Sequence, residues 1–240
     1  MTQKLYLETP YEKQFEAEVI ATEGNTVRLS RSLFYPTSGG QPGDTGTLKA
    51  ANHNFDIATT QKDKENDDVI HVLAEGCPLP QIGDKITGEI DWDTRYKHMR
   101  MHTAMHLLCS LITGDATGGQ IGAEKSRLDF NVPGDAYDKE ALTEQINKLI
   151  EAGHPVSTSW ITDEELEANP QLVRTMSVKP PIGSGKVRVV QIGTNDNIVD
   201  YQPCGGTHVK NTGEIGKVRI SKIENKGKQN RRFHIVFDEE

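Results

Sequence analysis

With 240 residues, 35% of them apolar, the chain is long enough for one large domain or two modest ones around real cores. A formal net charge of −8 excludes a protein that coats nucleic acid indiscriminately, though not a local basic patch. The N-terminal residues lack the basic and apolar regions of a secretory signal, no apolar run reaches the roughly 18 residues of a membrane helix, and the three widely spaced cysteines, Cys77, Cys109 and Cys204, suit reduced thiols in the cytoplasm.

Residues 6–91 read as short strands. Phe15, Ala17 and Val19 alternate with polar neighbours, as do Val27 and Leu29. Thr47-Leu48 and Phe55-Asp56-Ile57 follow turn-rich segments, and residues 83–91 alternate again. Many short strands between turns predict a small β-barrel over residues 1–92. The charged run 61–68 is expected to be a solvated turn. Residues 34–46 are dense in glycine, around Ser38-Gly39-Gly40-Gln41, and admit two readings, a plain hairpin or a backbone contact to a ligand through Gly39 and Gly40. The stretch lacks the Gly-Lys-Ser/Thr ending of a phosphate loop. Gly183-Ser184-Gly185-Lys186 lacks the upstream glycine and continues into Val187, so nucleotide hydrolysis is not expected.

A second domain, residues 93–240, opens with a helix that Asp93 or Thr94 can cap. Apolar residues on most of its sides, from Met99 to Ile112, predict a buried helix. His102 and His106 lie four residues apart, a step that turns the side chain by roughly 40°, so both imidazoles leave one face. Such a pair is either a hydrogen-bonded core feature or half of a metal site. Cys109 lies on the same stripe, but a buried free cysteine is a common core residue. Residues 114–119 read as a break and residues 125–130 as a strand. Leu142, Ile146, Leu149 and Ile150 mark a helix closed by Gly153, residues 156–161 a strand, and Thr162 with Glu165 a capping box. Residues 186–190, 217–220 and 233–237 complete a mainly antiparallel α+β domain.

Between the last strands stands Cys204-Gly205-Gly206-Thr207-His208, whose glycines favour a tight loop that folds thiolate and imidazole towards one point. Together His102, His106, Cys204 and His208 form a nitrogen and sulfur set that suits one zinc ion per chain. The missing glutamate after His102 excludes the His-Glu-x-x-His protease arrangement.

Residues 34–46, 99–108, 127–130 and 204–216, in this order, resemble the editing domain of alanyl-tRNA synthetase and its free-standing AlaX-type relatives. The resemblance spans nearly the whole chain and implies a β-barrel followed by an α+β domain shared with threonyl- and alanyl-tRNA synthetases. It implies zinc-dependent deacylation of serine, with glycine a further candidate, from mischarged alanine tRNA. The chain has no room for an aminoacylation domain and would edit in trans, and its glycine-rich segment makes it similar to the medium-length members. Met105 departs from many synthetase editing domains, which carry threonine there.

Sparing alanine while hydrolysing serine esters requires groups that need the substrate hydroxyl. Gln41 matches the glutamine of the family motif and is the favoured candidate, while Thr103 and Ser126 either add a hydroxyl or make ordinary local bonds. Lys217, Arg219, Lys222, Lys226, Lys228, Arg231 and Arg232 concentrate positive charge near the turn 225–230, with Glu224 the local acid. This hairpin, above all Lys226, Lys228 and Arg231, is either solvated or a phosphate contact for tRNA, with Arg95, Lys97 and Arg100 as the alternative patch. Rival functions are a non-enzymatic RNA-binding protein with a structural zinc and a zinc-dependent hydrolase of a small ester or amide.

Overall fold

The computed structural model describes residues 1–50, 53–132, 137–174 and 185–238. It divides into two compact units, Met1–Tyr96 and Lys97–Glu240. Gly183 and Ser184 lie outside the described residues. Among the described residues no helix is long and apolar enough to cross a membrane.

The first unit contains strands β1 (Gln3–Lys4), β2 (Gln14–Glu23), β3 (Thr26–Leu29), β4 (Arg31–Ser32), β5 (Gly46–Ala50), β6 (His53–Lys62), β7 (Val69–Leu73) and β8 (Lys85–Ile90). Six of them close an antiparallel barrel in the order β2-β3-β7-β6-β5-β8, which leaves no open edge. β1 and β4 form a separate parallel pair. The predicted alternation holds: Phe15, Ala17, Val19, Val27, Leu29, Leu48, Phe55 and Ile57 are all buried in one core.

β7 escapes the sequence reading because its buried face runs Val69, His71, Leu73, with a polar group in the middle. His71 is fully buried, its Nε2 2.8 Å from Ser32 Oγ and its Nδ1 3.0 Å from the Val27 carbonyl. Burial disfavours the imidazolium and lowers the pKa to about 4, against the weaker pull of the Val27 carbonyl and Asp68. The unfolded chain therefore takes up a proton near pH 6.5 that the native barrel refuses until about pH 4. Stability from this group is complete above pH 6.5 and is lost as pH falls through that window, by about 3 kcal/mol in all. Urea titrations at pH 7.5 and 5 should show about 2 kcal/mol of this loss in the unmodified protein. His71→Gln should lack that part of the pH dependence.

The run 61–68 is not merely a solvated turn. Arg28 binds Asp63 at 2.5 Å and Asp68 at 3.4 Å, and buried Asp68 accepts from the Thr2 backbone N–H at 2.7 Å. The glycine-rich segment contains a two-residue hairpin in which Ser38 and Gln41 exchange backbone hydrogen bonds of 3.1 and 2.9 Å. Gly39 and Gly40 have φ of +56° and +84°, a turn that requires positive φ at both central residues and so favours glycine.

Helix α1 (Trp92–Leu111) starts earlier than expected. Its cap is Asp91, whose carboxylate accepts from Thr94 N at 3.2 Å and Thr94 Oγ1 at 2.8 Å, so Thr94 donates to the cap instead of forming it. At the other end the Arg174 guanidinium donates to the carbonyls of Cys109, Ile112 and Gly114 at 2.6, 2.8 and 3.4 Å, serving acceptors that the last turn leaves open. Residues Met101 to Cys109 are buried without interruption.

The second unit continues with β9 (Asp115–Gln120), β10 (Lys125–Asn131), α2 (Lys139–Glu151), β11 (Val156–Thr162), α3 (Asp163–Ala168), β12 (Lys186–Thr194), β13 (Asn197–Pro203), β14 (Val218–Asn225) and β15 (Asn230–Phe237). They build a four-stranded sheet, β14-β15-β10-β9, and a three-stranded one, β11-β12-β13, both antiparallel. The expected break at 114–119 is strand β9. Its glycines permit close packing, since a Cβ on Gly119 would lie 3.1 Å from Leu128 and 3.5 Å from the Met105 methyl. α2 buries Leu142, Ile146 and Ile150, is capped by Asp138 and gives way at Gly153, φ +64°. The Thr162–Glu165 capping box is present.

Candidate metal centre

The four-residue step along α1 sets the rings of His102 and His106 5.2 Å apart, centre to centre. The loop after β13 returns His208 to within 4.3 Å of His102 and 4.7 Å of His106. Cys204 Sγ lies 3.5 Å from His102 Nε2 and 3.4 Å from His208 Nε2. Tetrahedral bonds of about 2.3 Å to sulfur and 2.05 Å to nitrogen would leave sulfur and nitrogen about 3.6 Å apart. One ligand atom from each of His102, His106, Cys204 and His208 lies within 4.8 Å of all the others, a cluster able to hold a metal ion.

A surrounding set of polar groups fixes these side chains. Asp200 Oδ2 takes a 2.7 Å bond from His106 Nδ1, turning Nε2 into the cluster. Gln202 Nε2 lies 3.1 Å from the same nitrogen and donates to Asp200 at 2.9 Å. Such a carboxylate behind a ligating histidine sets its tautomer and raises its basicity. Thr103 Oγ1 donates to the Met99 carbonyl at 2.9 Å, accepts from Val209 N at 3.3 Å and lies 3.3 Å from His208 Nδ1. Nδ1 of His208 can thus carry the proton and leave Nε2 free. Arg188, mostly buried, pins the loop by donating to the carbonyls of Cys204 and Gly206 at 2.8 and 2.9 Å.

Electrostatics favour a cation here. Burial alone would raise the Cys204 thiol, but the charges of His102 and His208 outweigh it and hold it well below its ordinary value. Burial works against a charged His106 as well, yet the bonds and charges of Asp200 and Cys204 raise it to about 10. His208 is pushed well below its usual value by burial and by neighbouring His102, with Cys204 opposing. The Cys204 thiolate thus lies among the converging rings, with the Asp200 carboxylate behind His106.

Cys109 does not join the cluster. Its thiol is raised to about 12, by burial and by Asp200, and hydrogen-bonds towards Gln202. Asp200, Gln202 and Arg188 were invisible as site residues in the sequence. The available signal was the alternation Asp200, Gln202, Cys204 on one face of β13 as it runs into the loop. Ser126 is buried with Oγ accepting from Gly122 N at 3.1 Å, beside a cavity lined by Gln120, Lys125, Ser126, Arg127 and His234 and by none of the four cluster residues. In the first unit Gln41 is fully buried, while Gly39 and Gly40 are exposed.

The basic hairpin is the β14–β15 turn, and more acids oppose it than Glu224 alone. Glu224 binds Lys222, Lys226 and His234, Asp129 binds Arg232, and Asp238 binds Arg219. Arg231 donates to the Gly227 carbonyl at 3.1 Å, across the turn, and Lys226 and Lys228 are exposed. Of the alternative patch, Arg95 is wholly buried against Asp44, while half-buried Lys97 pairs with Glu124 at 2.6 Å and half-buried Arg100 lies over the Phe237 ring and donates to the Ile215 carbonyl.

Comparison with known proteins agrees with this architecture. The family described as Threonyl and Alanyl tRNA synthetase second additional domain matches residues 187–234, and tRNA synthetases class II (A) matches residues 2–94. Alanyl-tRNA editing protein AlaX-M of Methanosarcina mazei is 39% identical, with 98% of this chain and 96% of that protein aligned. The protein of the same description from Saccharolobus solfataricus is 36% identical over 98% of both chains. The alanine–tRNA ligase of Archaeoglobus fulgidus is 39% identical over 93% of this chain, which covers 24% of the ligase. With this identity along both whole chains, and with the cluster assembled from the two expected half-motifs, the chain belongs to the family of AlaX-M alanyl-tRNA editing proteins.

Proposed function

We propose that the protein is a cytoplasmic trans-editing deacylase that hydrolyses serine, and glycine as a second substrate, from mischarged alanine tRNA at a zinc site. The observation that carries this is the convergence of His102, His106, Cys204 and His208 in a chain similar along its whole length to alanyl-tRNA editing proteins. Three imidazoles and a thiolate fit zinc, one ion per chain. Bound zinc supplies Lewis acidity for ester hydrolysis. The chain's own contribution is positional: Asp200 and Thr103 fix the His106 and His208 rings, and Arg188 holds the Cys204 loop. Serine-charged and alanine-charged tRNA incubated side by side with the protein test the reading. Serine should be released and alanine spared, whereas equal inertness of both would refute it.

In this reading residues 93–240 carry the hydrolysis, and Gln41, with the exposed backbone of Gly39 and Gly40, is assigned to substrate selection. A site built to bond a hydroxyl rejects an analogue lacking it because its own polar group is then left unpaired. Gln41→Ala should keep its zinc and narrow the serine-to-alanine rate ratio by about tenfold or more, the cost of one such bond. An unchanged ratio would make Gln41 scaffold. The exposed hairpin residues Lys226 and Lys228, with Arg231, hold acceptor-arm phosphates. Lys226→Ala/Lys228→Ala/Arg231→Ala should flatten the salt dependence of tRNA binding, by somewhat under one unit of slope for each phosphate no longer held, at unchanged zinc content.

A further inference from the structure

The core face of the four-stranded sheet is apolar, with Leu128, Phe130, Phe233 and Ile235 buried. The opposite face carries a polar row across all four strands. Gln120 pairs with Arg127, Arg127 with His234, and His234 with Lys222. Strands about 4.8 Å apart make that row about 14 Å long. At its β9–β10 end lies the cavity of about 220 Å³ lined by Gln120, Lys125, Ser126, Arg127 and His234. Several water molecules of about 30 Å³ each would fill it, room for a phosphate and part of its sugar.

The charges around it are unbalanced. Asp129 is held by Arg232 through two bonds of 2.7 Å and by Arg127 at 3.1 Å. Glu224 is held by Lys222, by Lys226 and by His234, and those partners keep its carboxyl low, at about 2. Both carboxylates are therefore ionised and taken up by cations. Lys125 is exposed and forms no ion pair among the described residues, its neighbour Glu124 being bonded to Lys97 at 2.6 Å. Arg127 has further donors beyond its bonds to Asp129 and to Gln120 Oε1 at 3.3 Å. His234, mostly buried in the lining, binds Glu224 through Nε2 and leaves Nδ1 buried without a hydrogen-bond partner. A buried polar atom of this kind costs stability unless something bonds it. One unpaired cation, the remaining donors of Arg127, an amide and the His234 ring around one concavity match the oxygens and hydroxyls of a sugar-phosphate chain.

We infer that this cavity is a subsite for a backbone phosphate and its ribose in the bound RNA, with Lys125 and Arg127 as the phosphate ligands and His234 beside the sugar. It deepens the proposed function by adding a second tRNA contact, distinct from the hairpin residues Lys226, Lys228 and Arg231 and from the metal cluster. Phosphate contacts of this type set orientation on the RNA without reading sequence.

The test is direct binding of uncharged alanine tRNA across a salt series, which requires no catalysis. Lys125→Gln/Arg127→Gln should weaken binding about tenfold or more at moderate salt and lower the salt slope by up to about two units. Lys125→Gln alone, which removes no intramolecular bond, should lower the slope by somewhat under one unit. Metal content should match the unmodified protein in both. Curves for Lys125→Gln and the double variant that superimpose on the unmodified protein at every salt concentration would overturn the subsite. Failure of the deacylation assay with the unmodified protein would instead remove the editing reading and leave the binding result standing.

Discussion

Cys204→Ala and His102→Ala are each expected to lose the metal and, with it, deacylation of serine-charged tRNA. Each removes one of the four candidate ligands whose donor atoms lie within 4.8 Å of one another. Metal catalysis is worth several kcal/mol of transition-state stabilisation. At about 1.4 kcal/mol per factor of ten, the loss should reach about a thousandfold. Asp200→Asn keeps the shape but weakens the acceptor behind His106, bonded at 2.7 Å. Changes of this kind cost about 10- to 100-fold in metal affinity, so this variant should regain activity as zinc is added, which Cys204→Ala should not. Cys109→Ala, outside the cluster, should retain both metal and activity. Metal analysis beside single-turnover hydrolysis checks all four. Full activity in a metal-stripped preparation would sink the zinc reading.

The second large effect belongs to the barrel unit. Asp44→Ala should destabilise it by about 3–5 kcal/mol, a sizeable share of a typical total of about 5–15 kcal/mol. Arg95 is wholly inaccessible to solvent and Asp44 nearly so. The guanidinium Nε lies 2.9 Å from both carboxylate oxygens, Nη2 bonds Asp44 again and the Leu33 carbonyl at 2.5 Å, and Nη1 reaches the Pro10 carbonyl at 3.3 Å. Asp44 also accepts from Tyr35 N at 2.6 Å, which holds the segment entering the glycine-rich hairpin. Removing the carboxylate leaves a buried cation without its counter-ion, which costs more than the pair itself contributes. Urea unfolding of the full chain checks this. A change below about 1 kcal/mol, the size of a surface pair, would show that the carbonyls alone satisfy Arg95.

The metal cluster was legible because metal chemistry constrains spacing. A four-residue step on a helix and a Cys-Gly-Gly-Thr-His loop each bring two donor side chains towards one point, and it was the pairing of the two that favoured a metal over a hydrogen-bonded core. The barrel was legible for a related reason, since alternation records which side of a strand faces the core. What stayed hidden were polar residues that work from inside. Asp200 and Gln202 look like the solvent face of a strand, Arg95 and Arg174 look like surface charge, and His71 breaks the apolar pattern of β7. In each, the partner that makes burial tolerable lies far away in sequence: Asp200 with His106, Arg174 with the end of α1, Arg95 with Asp44, His71 with Ser32. The strand β9 was missed because glycine, read locally, signals a break, whereas here it makes room for Leu128 and Met105.

The distance along the chain between the two ligand pairs also orders events in time. His102 and His106 leave the ribosome roughly a hundred residues before Cys204 and His208. At about 5–20 residues per second, that is an interval of about 5–20 seconds. Throughout it the nascent helix has two imidazoles without the thiolate, and for most of it without Arg188 and Asp200 as well. β15, which pairs with β10, has not yet been made either. In the proposed reading a chain that stalls anywhere in this interval is born inert, because half of its cluster, Cys204 and His208, has yet to be made.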